Sequence, residues 1–194
     1  SPNATGEVWQ FFDQQLNYPI SLINADDIDG SALKNIDVLI MPDGRYKLFS
    51  DKDAVAALKM WVQQGGKIIA LEHAAAQIGK ADWGFKLKKD DEEKKEDKKD
   101  KNEYEDLKRY ENRERDGIVN NIPGAIYKVN MDDSHPLAFG YGGTYYTLKL
   151  SSDLYEFMED GWNVGVIKKE NQLSGFVGNN IRKIIKDGTV IGVQ

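Results

Sequence analysis

Apolar positions along this chain fall into two rhythms, one helical and one strand-like, with a long polar interruption between them. Val8, Phe12 and Leu16 recur at i, i+4 and i+8, predicting a short amphipathic helix over residues 7–16 that Thr5 or Asn3 could cap. Asn17-Tyr18-Pro19 stops it, because proline disfavours helical geometry in the residue before it. Residues 20–23 then form an apolar run of the length of a buried strand. A second such run covers residues 37–41 and ends at Pro42-Asp43-Gly44. The clearest helical pattern follows: Ser50 and Asp53 suit a cap, and Val55, Leu58 and Val62 share a face, with Trp61 beside them. Gly65-Gly66 supplies the stop, and residues 67–71 read as a third buried strand.

Strands without polar alternation, separated by helices, predict a mostly parallel sheet covered on both faces, an α/β doubly wound architecture. The pattern breaks over residues 88–115, where lysine, glutamate, aspartate and arginine leave only Tyr104, Leu107 and Tyr110 as apolar anchors. Such a segment buries too little surface to offset its ordering entropy, so its first half is expected to be disordered or a solvated helix. Asp90–Lys94 and Asp97–Lys101 would support helix modestly. The stretch is read as a solvated insertion, with an interaction arm as the alternative. Beyond it the rhythm shortens to strands. Tyr127, Val129 and Met131 alternate within residues 126–131, and Tyr146, Leu148 and Leu150 do the same. Residues 163–167 and 189–193 are further apolar runs, so extra strands are expected in the second half.

Composition changes this picture in three places. The chain has 194 residues, enough for one domain with an insertion. It has no cysteine, which excludes disulfides, thiolate nucleophiles and cysteine-bound zinc. A net charge of −6 argues against a broad nucleic-acid surface, and no apolar run is long enough to cross a bilayer.

The order strand, Pro42-Asp43-Gly44 loop, capped helix, Gly65-Gly66, strand, then Leu71-Glu72-His73-Ala74-Ala75 resembles the class I glutamine amidotransferase-like domains, a flavodoxin-like fold. In that family a sharp strand-to-helix turn presents a cysteine, and Glu72 stands at the matching position. A carboxylate there cannot form the thioester, so the resemblance implies a degenerate site with no catalytic residue. The family's closing histidine is missing too, since no histidine follows His135. Residues 6–16 with Tyr18-Pro19, residues 37–44 and residues 133–140 narrow the resemblance. They are similar to the amidotransferase-like domain found C-terminal to secreted bacterial zinc carboxypeptidases.

That resemblance implies an accessory domain of a secreted or periplasmic peptidase. Its partner would be the peptidase domain of the same polypeptide, and its link to peptide substrate would run through that parent. It also implies a first strand ahead of the residue 7–16 helix and a closing strand and helix after Gln194, so the chain is expected to be one domain shortened at both ends. The parent's zinc is not expected on this chain: three residues after His73 stands Ala76, and three after His135 stands Ala138, so there is no His-x-x-Glu. Neither cofactor nor metal is therefore expected, and no nucleic-acid or membrane partner.

Open α/β sheets bind ligands at their strand ends, which makes Asp43, Gly44, Glu72 and His73 the ligand-binding candidates. Glu72 and His73 could do acid–base work on a small molecule. Alternatively, Glu72 caps the next helix while His73 fills a polar pocket. His135-Pro136 reads as a structural loop. Gly140-Tyr141-Gly142-Gly143 reads as a turn rather than a phosphate cradle, because no helix follows it. Tyr145, Tyr146 and Trp162 leave open a carbohydrate- or peptide-binding module, against ordinary cross-strand packing.

Overall fold

The computed structural model describes residues 1–29, 31–81, 83–88, 107 and 109–193. The pairs Asp90–Lys94 and Asp97–Lys101 and the anchor Tyr104 lie outside the described residues. The chain divides into two compact units, Ser1–Trp83 and Gly84–Gln194.

The first unit opens with α1 (Pro2–Gln10), which runs directly into a wider turn at Phe11–Gln15. The expected helix is therefore present but starts earlier. Pro2 occupies its first turn, where a missing N–H costs nothing, and Ser1 rather than Thr5 or Asn3 holds the cap position. Residues 20–23 were expected to be a buried strand. They form no strand and pair with none of the described strands, and Leu22 is exposed. A four-residue apolar run specifies an extended chain, but only a free sheet edge makes it a strand.

Strand β1 (Val38–Met41) leads through a 3-10 turn at Lys47–Ser50 into α2 (Lys52–Gln63). The α2 cap is Asp51, not Ser50: its Oδ1 accepts from the backbone N–H of Asp53 at 2.9 Å and of Ala54 at 3.2 Å. Ser50 is spent on closing the preceding turn. Leu58 and Trp61 are the buried residues of α2, and the Trp61 ring N–H donates to the Ile36 carbonyl at 3.1 Å. Gly65 (φ +105°) and Gly66 end the helix, and a Cβ on Gly66 would sit 2.3 Å from the Trp61 ring. Only glycine lets the chain turn here and pass under the indole. Strand β2 (Lys67–Ala70) then pairs parallel with β1, Leu39 opposite Ile68 and Met41 opposite Ala70. The strand–helix–strand unit closes with α3 (His73–Lys80), whose Ala74, Ala76 and Ile78 are buried.

The second unit carries the antiparallel architecture. A 3-10 turn at Tyr110–Asn112 enters α4 (Arg113–Ile118), so the end of the charged stretch is helical. Leu107 and Tyr110 anchor nothing: both are largely exposed, and Tyr110 instead lies under the Arg113 guanidinium at 4.3 Å. Strands β3 (Gly124–Met131), β4 (Thr144–Lys149), β5 (Trp162–Ile167), β6 (Gln172–Phe176) and β7 (Gly188–Val193) form one sheet in the order β4-β3-β5-β7, with β6 also on β3. Every described pair in it is antiparallel. Helix α5 (Asn179–Ile184) lies between β6 and β7 in the chain.

The α/β character expected from the sequence is present, but parallel pairing is confined to β1 and β2 among the described strands. A parallel pair needs a crossover connection, and in the second half each strand instead pairs with a neighbour running the opposite way. The connections there are mostly irregular chain, with α5 alone as an α-helix between described strands. The inward face of β3 (Ala125, Tyr127, Val129) joins Ile122, Leu154, Ile167, Val177, Ile181 and Ile185 in a buried core. The alternation at Tyr146, Leu148 and Leu150 is also real, but that face points outward. Tyr146 is 59% and Leu148 61% exposed, and Ile126 and Phe176 share the surface. The buried hydroxyl of Thr189 is satisfied by Asn163, whose amide also clasps the Met158 backbone at 2.9 and 3.1 Å.

Candidate functional site

The parallel register of β1 and β2 places the residues that follow each strand side by side. Pro42-Asp43-Gly44 leaves β1, and Leu71-Glu72-His73 leaves β2 into α3. The Leu71 N–H donates to the Met41 carbonyl at 3.0 Å, carrying the pairing one step past the strands. All four candidates read from the sequence, Asp43, Gly44, Glu72 and His73, therefore meet at one strand end.

Glu72 holds the turn between β2 and α3 with φ +49° and ψ −117°. That is the left-handed side of backbone space, where a side chain crowds its own carbonyl and few residues but glycine rest easily. The conformation reverses the chain within one residue, so α3 begins immediately after the strand. Glu72 itself makes no side-chain capping bond. The capping acceptor comes from the neighbouring loop, because the His73 backbone N–H donates to Asp43 Oδ1 at 3.3 Å. The expectation that Glu72 caps the helix is thus corrected: Glu72 holds the cap position, but the side-chain acceptor is Asp43.

His73 does not fill a polar pocket. Its side chain is 61% exposed, and its Nδ1–H donates to Asp43 Oδ1 at 2.6 Å. This hydrogen bond holds the Asp43 carboxyl below the ordinary aspartate value, against a smaller opposing effect of burial. Glu72 completes the cluster: one donor atom from each of Asp43, Glu72 and His73 lies within 4.8 Å of the others.

Gln77 is the residue that sequence reasoning missed. Its amide nitrogen donates to the Gly44 carbonyl at 2.7 Å and to the His73 carbonyl at 2.9 Å, while its oxygen accepts from the Tyr46 N–H at 2.9 Å. It ties the β1 loop to the first turn of α3. The available signal was spacing: Gln77 lies four residues after His73 on the same helix face. Tyr46 adds a second tie, its hydroxyl donating to the Pro42 carbonyl at 2.8 Å.

The remaining candidates lie elsewhere. His135 accepts from the Leu137 N–H at 3.2 Å and so caps the 3-10 turn at Pro136–Ala138, a structural role as read from the sequence. Gly140-Tyr141-Gly142-Gly143 is a turn into β4. Tyr145 and Tyr146 are consecutive in β4, so they face opposite sides of the sheet and form no single platform. Tyr145 packs edge-on against Tyr141, and Trp162 lies beside His135.

A scan of protein-family models, a search of curated proteins and a search of solved structures each find no match to this chain. Chemical interpretation therefore rests on the geometry. The strand end presents two carboxylates and an imidazole on a braced, open surface, and no group there can serve as an acyl-forming thiol.

Proposed function

We propose that this chain is a non-catalytic domain of the class I glutamine amidotransferase-like type, serving as an accessory domain of a secreted zinc carboxypeptidase. The observation that carries the reading is the backbone of Glu72. A sharp, strained strand-to-helix turn is the device by which that family exposes its nucleophile, and here it presents a carboxylate. The parallel β1–α2–β2 unit leading into it supports the flavodoxin-like part of the reading. The apolar outer face formed by Ile126, Tyr146, Leu148 and Phe176 suits a domain that packs against a larger neighbour, here the peptidase domain. On this reading the peptidase domain supplies the zinc and the hydrolysis of C-terminal residues, and this chain contributes stability or substrate placement.

The test is the reading frame that encodes residues 1–194. A His-x-x-Glu motif and a secretion signal upstream are expected, together with no glutamine hydrolysis by the chain itself. A frame carrying neither motif would overturn the assignment.

A second reading draws on the Asp43–His73 hydrogen bond, which orients an imidazole as a general base for a small molecule at the same strand end. It requires that Glu72→Gln or His73→Ala abolish turnover of some ester or amide. Unchanged turnover in both variants would remove it.

A further inference from the structure

We propose that Asp43, Glu72 and His73 bind one divalent transition-metal ion of the zinc type. This inference rests on the donor geometry alone and stands whether or not the chain is amidotransferase-like.

The donor set is mixed. Two carboxylate oxygens and one imidazole nitrogen converge, each within 4.8 Å of the others. An imidazole donor favours zinc, nickel or copper over magnesium and calcium, which prefer oxygen throughout. Zinc–nitrogen and zinc–oxygen bonds of about 2.0–2.2 Å at tetrahedral angles place donors about 3.3–3.6 Å apart. The 4.8 Å limit lies above that span and the Asp43–His73 pair, at 2.6 Å, below it, so binding one ion takes a small rotation of the exposed Glu72 and His73 side chains.

Two of the three ligands are already held in place. Asp43 Oδ1 receives both the ring and the backbone N–H of His73, and Gln77 fastens the Gly44 and His73 carbonyls behind them. The ion displaces the proton between His73 Nδ1 and Asp43 Oδ1, and the two atoms, now 2.6 Å apart, separate to admit it. The strained turn at Glu72 brings the third ligand to the same side. The first turn of α3 opposes a cation with about half a positive charge, against two full carboxylate charges. Three protein ligands on an open surface leave further coordination positions to water, as in an open zinc site.

The experiment is a titration of the metal-free protein with zinc ion alone, read by competition against a chromophoric chelator. Magnesium is the control ion and His135→Ala the control variant. One zinc per chain is expected, weakened on the order of tenfold or more in each of Asp43→Asn, Glu72→Gln and His73→Ala. His135→Ala should bind like the parent, and a hundredfold excess of magnesium should not compete. Far-UV circular dichroism on each variant separates lost ligand from lost fold, and Glu72→Gln keeps the side-chain shape for the same reason. No saturable binding, equal affinity in His73→Ala, or equal loss in His135→Ala would each overturn the site and leave adventitious surface zinc only. Effective competition by magnesium would overturn the transition-metal assignment.

Discussion

The two units each bury apolar side chains but differ in what they hold at the surface. In Ser1–Trp83 the strands are short and apolar, yet only part of each is covered: Val38 is 44% and Ile69 47% exposed. What the unit holds firmly is its strand end, through Asp43, His73, Gln77 and Tyr46. In Gly84–Gln194 the sheet wraps a continuous core with Val129, Leu154 and Ile167 fully buried, and its polar groups serve loops and turns. Both units bury apolar side chains, Leu33, Met41 and Leu58 among them in the first, but among the described residues only the first gathers titratable side chains at one strand end. Stability and site chemistry are therefore expected to respond to different substitutions.

The largest effects should come from the second unit's core. Leu154→Ala removes a fully buried side chain and should cost about 2–5 kcal/mol in denaturant unfolding, with the Asp43–His73 hydrogen bond unaffected. A loss below about 1 kcal/mol would break the contrast, since it would mean the core is not tightly packed.

Backbone constraint comes next. Gly175 has φ +87°, and a Cβ there would sit 2.2 Å from the Gly124 carbonyl oxygen at the irregular β3–β6 pairing. Gly175→Ala should destabilise by about 1–3 kcal/mol. Native-state hydrogen exchange of the β3 and β6 amides would localise the loss to that pairing.

A smaller effect belongs to the first unit. Asp51→Ala removes the α2 cap and should cost about 1 kcal/mol, with Asp51→Asn recovering most of it. Equal loss in both variants would mean that charge, not the capping bond, is what α2 needs.

The smallest effect is electrostatic. The hydrogen bond from His73 depresses Asp43 in the folded protein, so its stabilisation is fully present above the unfolded aspartate value of about 4. It is lost as pH falls through the lower folded value. Asp132, depressed by the Ser134 hydroxyl, behaves the same way in the second unit. Carboxyl carbon titration by NMR should place both midpoints below those of ordinary aspartates, and His73→Ala should raise that of Asp43 alone.

Much of this was legible in the chain. The helix at α2 with its glycine stop, the strands β1, β2, β3, β5 and β7, and the meeting of Asp43, Gly44, Glu72 and His73 follow from periodicity and from parallel pairing. The run at residues 20–23 misled because a strand needs a partner edge, which local sequence does not encode. The alternation at Tyr146, Leu148 and Leu150 left their face open, because period two separates two faces without saying which is inside. Residues 172–176 escaped notice because Gln172-Leu173-Ser174-Gly175-Phe176 alternates weakly and contains a glycine, and Gln77 because its role is set by carbonyls distant in sequence.

Glu72 sits in a strained turn that brings its carboxylate beside Asp43 and His73, at a cost to stability. Glu72→Gly tests this most directly, by chemical denaturation against the parent. Relief of a left-handed backbone is worth about 1–3 kcal/mol and the added chain entropy of glycine costs about 0.5–1 kcal/mol. Glu72→Gly is expected to unfold at higher denaturant concentration than the parent. A variant less stable than the parent would contradict it, because the turn would then be a stabilising feature.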